Sequence, residues 1–333
     1  MGGVESAGGG LHGIDFRDVI SIENLFEAWR EFARGKRSKK DVITFELKLE
    51  DNIFRLHEDL KLNIWKPDSY TVFYVQDPKL RVIHKATVRD RVLYQAVYRS
   101  LYQTFDPGFI HDVYSSRDRK GTHAGVDRFE DFARKVTGNH TRSAFALKCD
   151  IRKFFDSIDH GILFDLICRK ISDESLVRLI FQIIDSFHHT PGKGLPLGNV
   201  TSQLFANIYM NEFDQFVKHR LKVKYYIRYC DDFVILNTDR ALLKGDVGRI
   251  KSFLSEKLKL DLHPRKVEIR KLIQGIDFLG YVSLPHYRVL RTRTRRRMLK
   301  KLRGNKDPQV LASYLGMLSH CSGRKIESQL PAC

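Results

Sequence analysis

Asp150, Asp231 and Asp232 have the residue type and placement that phosphoryl transfer requires. Asp150 closes a short apolar run, Ala144 to Cys149, and Asp231-Asp232 falls between two others, Tyr225 to Arg228 and Phe233 to Leu236. Moving a phosphoryl group needs in-line positioning and positive charge on the entering and leaving oxygens, with little covalent help. Two Mg²⁺ ions about 4 Å apart supply both. Mg²⁺ is held by one or two carboxylates together with substrate phosphates, so aspartates ending neighbouring strands make a suitable holder. Adjacent aspartates repel and raise one pKa, a cost that a bound cation removes. The competing reading of Asp231-Asp232 is a surface turn, where Asp is common. The pair by itself does not choose.

The apolar runs beside these carboxylates predict the elements that position them. Ala144 to Cys149 reads as a buried strand, and the two later runs read as a hairpin with Asp231-Asp232 at its tip. Upstream, Ser21 precedes a helix with Leu25, Trp29 and Phe32 on one face, and a second helix is predicted from Val42 to Leu62. Tyr70 to Tyr74 and Arg81 to Ile83 are short strands joined at Asp77-Pro78, followed by a helix from Arg89 to Phe105. Two helices follow Asp150, the second marked by Leu176, Leu179, Ile180, Ile183 and Ile184. After the breakers Pro191-Gly192 and Gly194, another runs from Thr201 to Leu221. A helix from Arg249 to Leu258 and strands Lys266 to Ile269 and Phe278 to Val282 complete an α+β layout.

Charge narrows the partners. Lys and Arg outnumber Asp and Glu by 58 to 40 over 333 residues, a formal +18. That balance points to nucleic acid, with a merely soluble basic protein as the alternative. Nine of the basic residues lie between Tyr287 and Arg303, with no acid among them. Such a segment tracks phosphates with strong salt dependence or is a solvated tail; Val310, Leu311, Tyr314, Leu315 and Leu318 supply an apolar stripe for folding. Cys149, Cys168, Cys230, Cys321 and Cys333 are scattered, without a C-x-x-C pair. This argues against a structural zinc site or a disulfide framework and fits a reducing compartment. His188-His189 lacks a Cys or third His at ligand spacing, so no metal is assigned there. No run of about 18 apolar residues spans a bilayer. The Gly-rich start lacks a signal-peptide core, and a disordered tail on a cytoplasmic protein with no membrane partner is expected.

Six motifs in order carry a resemblance. Tyr229-Cys230-Asp231-Asp232 resembles the Y-x-D-D box of reverse transcriptases, and Cys149-Asp150-Ile151-Arg152-Lys153-Phe154-Phe155 resembles their first catalytic box. Gly194-Leu195-Pro196-Leu197-Gly198-Asn199-Val200-Thr201-Ser202-Gln203 is similar to the box between them. Phe278-Leu279-Gly280-Tyr281 is similar to the primer-grip turn, with Lys266 where the family carries a preceding lysine. Asp77-Pro78-Lys79-Leu80-Arg81-Val82-Ile83 and Tyr114-Ser115-Ser116-Arg117 resemble motifs of the fingers.

The resemblance implies a right-hand polymerase fold: a tail over 1–13, fingers with N-terminal helices over 14–143, a palm over 144–285 and a basic helical thumb over 286–333. It implies an RNA-directed DNA polymerase acting on an RNA template, a primer strand and dNTPs, with two Mg²⁺ ions held by Asp150, Asp231, Asp232 and the carbonyl of Ile151. Phe155 would screen the 2′ carbon of the nucleotide, or else be plain core. Lys79 and Arg81 would grip the triphosphate, Leu197 and Gly198 would lie at the nucleotide, and Lys266 would offer a proton to pyrophosphate or simply be solvated. Gln203, Phe278, Leu279, Gly280, Arg291 and Arg295 would face nucleic acid. Group II intron and retroviral enzymes usually carry Gln where this chain has Leu197. Leu197 with Ser202-Gln203, the segment Gly121 to Val126 and the short basic end resemble the enzymes of diversity-generating retroelements. Those copy a template-repeat RNA with frequent errors opposite adenine and work with a small basic accessory protein. The alternatives are a host-defence or group II intron-like reverse transcriptase and, in another class, a catalytically inactive nucleic-acid-binding protein.

Overall fold

Capping residues and apolar periodicity set the helices. A computed structural model describes residues 14–76, 80–304 and 307–323; Lys79 and the predicted tail over 1–13 lie outside them. In chain order the elements begin with α1 (Phe16–Ile20), α2 (Ile22–Ala33), α3 (Lys40–Glu46) and α4 (Leu49–Lys61). The hairpin β1 (Thr71–Gln76) and β2 (Leu80–Lys85) precedes α5 (Val88–Phe105), α6 (Thr122–Val136) and β3 (Phe145–Asp150). Then come α7 (Phe154–Ser157), α8 (His160–Cys168), α9 (Glu174–Asp185) and α10 (Val200–Gln215). The hairpin β4 (Tyr225–Tyr229) and β5 (Asp232–Asn237) leads to α11 (Arg240–Leu258) and β6 (Glu268–Lys271). Last are β7 (Ile276–Phe278), β8 (Tyr281–Ser283), β9 (Arg288–Leu290), α12 (Thr292–Gly304) and α13 (Pro308–Leu318). Side-chain caps start several helices: Asp159 accepts from the Ile162 amide at 3.1 Å, Asp173 from Leu176 at 2.9 Å and Asp239 from Ala241 at 2.7 Å.

Two compact units result, one from the segments up to Phe109 and from Phe155 to Met210, the other from Ile110 to Phe154 and from Asn211 onward. The first is mainly helical. Its hairpin pairs β1 with β2 antiparallel, and most of its residues are exposed, including Phe73, Tyr74 and Leu80.

The second unit is built on an antiparallel sheet of order β4-β5-β3-β6. Alternate side chains of a strand face opposite ways, and here both faces are covered. Ala146, Ile227, Val234 and Leu236 pack with Phe129, Phe132, Ala133 and Val136 of α6. On the other face Phe213 lies 4.9 Å from Phe233 and 6.1 Å from Tyr226 between ring centroids, and Phe216 stacks on Phe253 at 4.1 Å. Burial on both faces is why these strands read as continuous apolar runs. A second antiparallel sheet, β7-β8-β9, carries Phe278, Tyr281 and Leu290 into the core. Among the described residues no helix is long and apolar enough to cross a membrane.

The α+β layout agrees with the sequence reading, with local differences. The helix predicted from Val42 to Leu62 breaks at Leu47-Lys48 into α3 and α4. The helix predicted to end at Leu221 stops at Gln215 and closes with a wider turn, Phe216–Arg220. Helix α11 starts at Arg240 rather than Arg249; Gly245 and Gly248 weaken the local signal, but the Asp239 cap and buried Leu243 and Ile250 hold the first turns. The strand predicted from Phe278 to Val282 is instead a hairpin. Leu279 (φ 50°) and Gly280 (φ 91°) both take positive φ, as a tight hairpin turn demands. Helix α6 was not foreseen. The Arg-rich stretch opens as strand β9 before turning helical at Thr292.

Candidate active site

The four-stranded sheet of the second unit fixes the three aspartates by register. Asp150, the last residue of β3, sits directly opposite Asp232, the first residue of β5. Tyr229 also pairs with Asp232, so Cys230-Asp231 forms a two-residue turn. Cys230 takes φ 56°, a left-handed conformation that a non-glycine residue adopts only when its surroundings enforce it. The Ile151 amide donates to the Asp231 carbonyl at 3.2 Å, tying the end of β3 to that turn. Lys266 Nζ lies 2.5 Å from Asp150 Oδ2. The fold brings Asp150, Ile151, Asp231 and Asp232, expected to hold metal, into one place with Lys266, expected to serve the pyrophosphate.

Charge is crowded there. Burial pushes the Asp231 carboxyl up to about 6, with the negative charges of Asp232 and Asp150 adding to the effect and Lys266 opposing it. Burial also raises Asp232, against the pull of Lys148. Three carboxylates with one close lysine are short of positive charge. Their hard oxygen donors fit a divalent cation of the Mg²⁺ type.

A buried network holds the turn from below, and the sequence reading missed it. Arg228, on β4, is fully buried and grips Asp214 of α10 with Nε to Oδ1 at 2.8 Å and Nη2 to Oδ2 at 2.6 Å. Its remaining Nη1 donates to the Cys230 carbonyl at 3.0 Å. Tyr226 donates to Asp214 Oδ1 at 2.7 Å, and the Cys230 amide donates to Ser115 Oγ at 2.9 Å. The signal was available in part: an arginine inside Tyr-Tyr-Ile-Arg-Tyr needs a buried acid partner.

Other predicted site residues fall as follows. Within the second unit Phe278 is 1% exposed and packs on Phe129 at 5.7 Å, so its ring serves the core, and only Leu279 and Gly280 of that turn are partly exposed. The Arg291 amide donates to the Gly280 carbonyl at 3.0 Å, and its guanidinium pairs with Asp277. Arg295 is exposed on α12. The first unit holds Arg81, Phe155, Leu197, Gly198 and Gln203. Arg81 is exposed on β2, Phe155 and Leu197 are half-buried, and Gln203 is exposed on the first turn of α10. The Leu195 amide donates to the Phe155 carbonyl at 2.8 Å, joining the two motif segments. Gly198 takes φ 116°, and a Cβ there would come within 3.2 Å of Ile83 Cγ2, so both conformation and space favour glycine.

Residues 65–283 match the family described as reverse transcriptase (RNA-dependent DNA polymerase). That is most of the chain, and the protein belongs to this family. It is 26% identical over 255 residues to protein YkfC of Escherichia coli K12, covering 65% of each chain. It is 24% identical over 303 residues to the group II intron-encoded protein LtrA of Lactococcus lactis subsp. cremoris, covering 70% of this chain and 49% of LtrA. The chain thus spans about half of LtrA and just under two thirds of YkfC. Among solved structures it is similar to apo telomerase from Candida tropicalis truncated from its C-terminal domain. There the identity is 13% and the TM-score 0.49, over 72% of this chain and 60% of that one.

Proposed function

We propose that the protein is an RNA-directed DNA polymerase of the diversity-generating type, making cDNA from a template-repeat RNA with frequent errors opposite adenine. The observation that carries the polymerase reading is the strand register setting Asp150 against Asp232, with Asp231 in the adjoining turn. Asp150, Asp231, Asp232 and the Ile151 carbonyl would hold two Mg²⁺ ions, which would supply positive charge to the attacking 3′ oxygen and the departing pyrophosphate. Lys266, beside Asp150, offers a proton for the pyrophosphate. Phe155 excludes a ribose 2′ hydroxyl, Lys79 and Arg81 grip the triphosphate, and Gly198 lets backbone approach the nucleotide beside Leu197. Gln203, the turn at Leu279-Gly280, and Arg291 and Arg295 meet template and primer. In this reading the fingers with the N-terminal helices take 14–143, the palm 144–285 and the thumb 286–333. A small basic accessory protein completes the active assembly.

Leu197 supports the subclass, because it stands where intron and retroviral enzymes usually carry Gln. A second reading, an intron-type enzyme, draws on the similarity to LtrA. Copying of a defined RNA with dNTPs and Mg²⁺, followed by sequencing of the cDNA, separates the readings. Errors concentrated opposite template adenine support the first; uniform high fidelity supports the second; no template-dependent product removes both.

A further inference from the structure

A second cluster of ligand-type side chains lies in the first unit. His160 opens α8, Asp185 ends α9, and His188 lies in the loop that follows. One ligand atom from each lies within 4.8 Å of the others. His160 is 5% exposed, and its Nε2 sits 2.7 Å from the Gly194 carbonyl, which fixes Nε2 as the donor. Its Nδ1 therefore carries a lone pair, and that atom is buried with no hydrogen-bond partner. A buried acceptor left unmatched is costly. An imidazole that donates one N–H to a backbone carbonyl while presenting the other nitrogen is the arrangement of a metal-bound histidine.

We propose that His160 Nδ1, Asp185 and His188 bind a transition-metal ion of the Zn²⁺ class. Two imidazoles and one carboxylate select such an ion over Mg²⁺, which prefers oxygen. A tetrahedral ion with bonds of about 2.1 Å needs donors roughly 3.4 Å apart, so the cluster must draw in. Asp185 and His188 are exposed and can rotate to do so, while His160 stays fixed in the core. His188 Nε2 already lies 3.3 Å from Asp185. Its Nδ1 accepts from the Gly192 amide at 3.2 Å; metal at Nε2 puts the proton on Nδ1, and that exposed amide turns to water instead. Three protein ligands leave the fourth place to water.

The ion would staple the start of α8 and the end of α9 to the loop leading into Gly194 to Gly198. That loop is already anchored to the same region: the His160 amide donates to the Gly192 carbonyl at 2.9 Å, and the Gly194 amide to Ile158 at 2.8 Å. The site would thus brace the segment carrying Leu197 without joining the chemistry.

The test uses the full chain, stripped of metal and held in excess Mg²⁺ to occupy the carboxylates. Zn²⁺ affinity is measured by competition with a chromophoric chelator, and Co²⁺ is added for its tetrahedral absorption. Wild type and Asp231→Asn should each bind one equivalent, with a rise in melting temperature. His188→Ala and Asp185→Asn change exposed positions, so folding is preserved and checked by circular dichroism. Each should weaken Zn²⁺ by at least about tenfold and lose the Co²⁺ band. Equal Zn²⁺ affinity in wild type and His188→Ala, whether tight or weak, would overturn the proposal.

Discussion

Arg228 reaches the Cys230 carbonyl with the one nitrogen that its bidentate pair with Asp214 leaves over, at 3.0 Å. The turn carrying Asp231 thus hangs from a buried ion pair rather than from the surface. Breaking a buried pair by removing one partner costs about 3–5 kcal/mol. Asp214→Asn should lower unfolding stability on that scale. Arg228→Lys keeps the charge but loses the planar fork, so the turn should loosen while the fold persists. The half-saturating Mg²⁺ concentration for primer extension should then rise severalfold. An unchanged Mg²⁺ requirement in a folded Arg228→Lys protein would mean that the pair supports only the core.

Asp231 links pH to stability. Its carboxyl in the folded chain, at about 6, lies above the ordinary 3.8, so the folded state holds this proton more tightly than the unfolded state. The associated stability is present below about pH 4 and is lost as pH rises through about 6. At about 1.4 kcal/mol per pKa unit, and allowing for partial solvent screening, the loss is about 1–2 kcal/mol. In chelator at about pH 7.5, Asp231→Asn should therefore melt higher than wild type. Mg²⁺ should raise the wild-type melting temperature more at that pH than near pH 5. A lower melting temperature for the variant in chelator would contradict the crowding of charge at this turn.

What was legible in the sequence followed from local pattern. Asp150 and Asp231-Asp232 each adjoin an apolar run buried on both faces, so strand, turn and carboxylate could be placed together. Helix α6 was readable in principle, since Val126, Phe129, Phe132, Ala133 and Val136 share a face. Gly121 and Gly125 weaken the helical signal at its start. Arg228 within an apolar run signals a buried acid partner, but which acid was not readable, because Asp214 and Arg228 meet only when α10 packs on the sheet. His160 was invisible as a partner of His188 for the same reason: the helix ends and the loop bring them together. Phe278 was assigned to nucleic acid by its motif, while packing commits its ring to the core.

Phe155 controls sugar choice in this account. Phe155→Val should raise ribonucleotide incorporation relative to deoxynucleotide, read as the ratio of the two kcat/KM values. The half-buried ring makes a modest loss of stability expected as well. A folded, active variant with the wild-type ratio would leave the ring as packing alone.

Under the proposed function Leu197 lies beside the nucleotide, where a Gln would reach toward it; Leu has no hydrogen-bonding group and can only pack. A misplacement of about 1 Å costs ~10²-fold in a tight site, so a looser site penalises mismatches less. Leu197→Gln should lower errors opposite template adenine more than opposite other bases, with Arg81 as a second contributor. Sequencing of cDNA from both proteins on one RNA, with an accessory protein added if activity requires one, gives the answer. An error-prone wild type with an unaffected variant would remove the role of Leu197.

The central claim is that the aspartates perform metal-dependent nucleotidyl transfer while the basic surface binds nucleic acid. Primer extension and RNA binding should be measured side by side for wild type, Asp150→Asn and Asp231→Asn at one salt concentration. The account predicts cDNA from wild type only, with RNA affinity nearly equal in all three, because binding rests on lysine and arginine. Near-normal extension by either variant would contradict it.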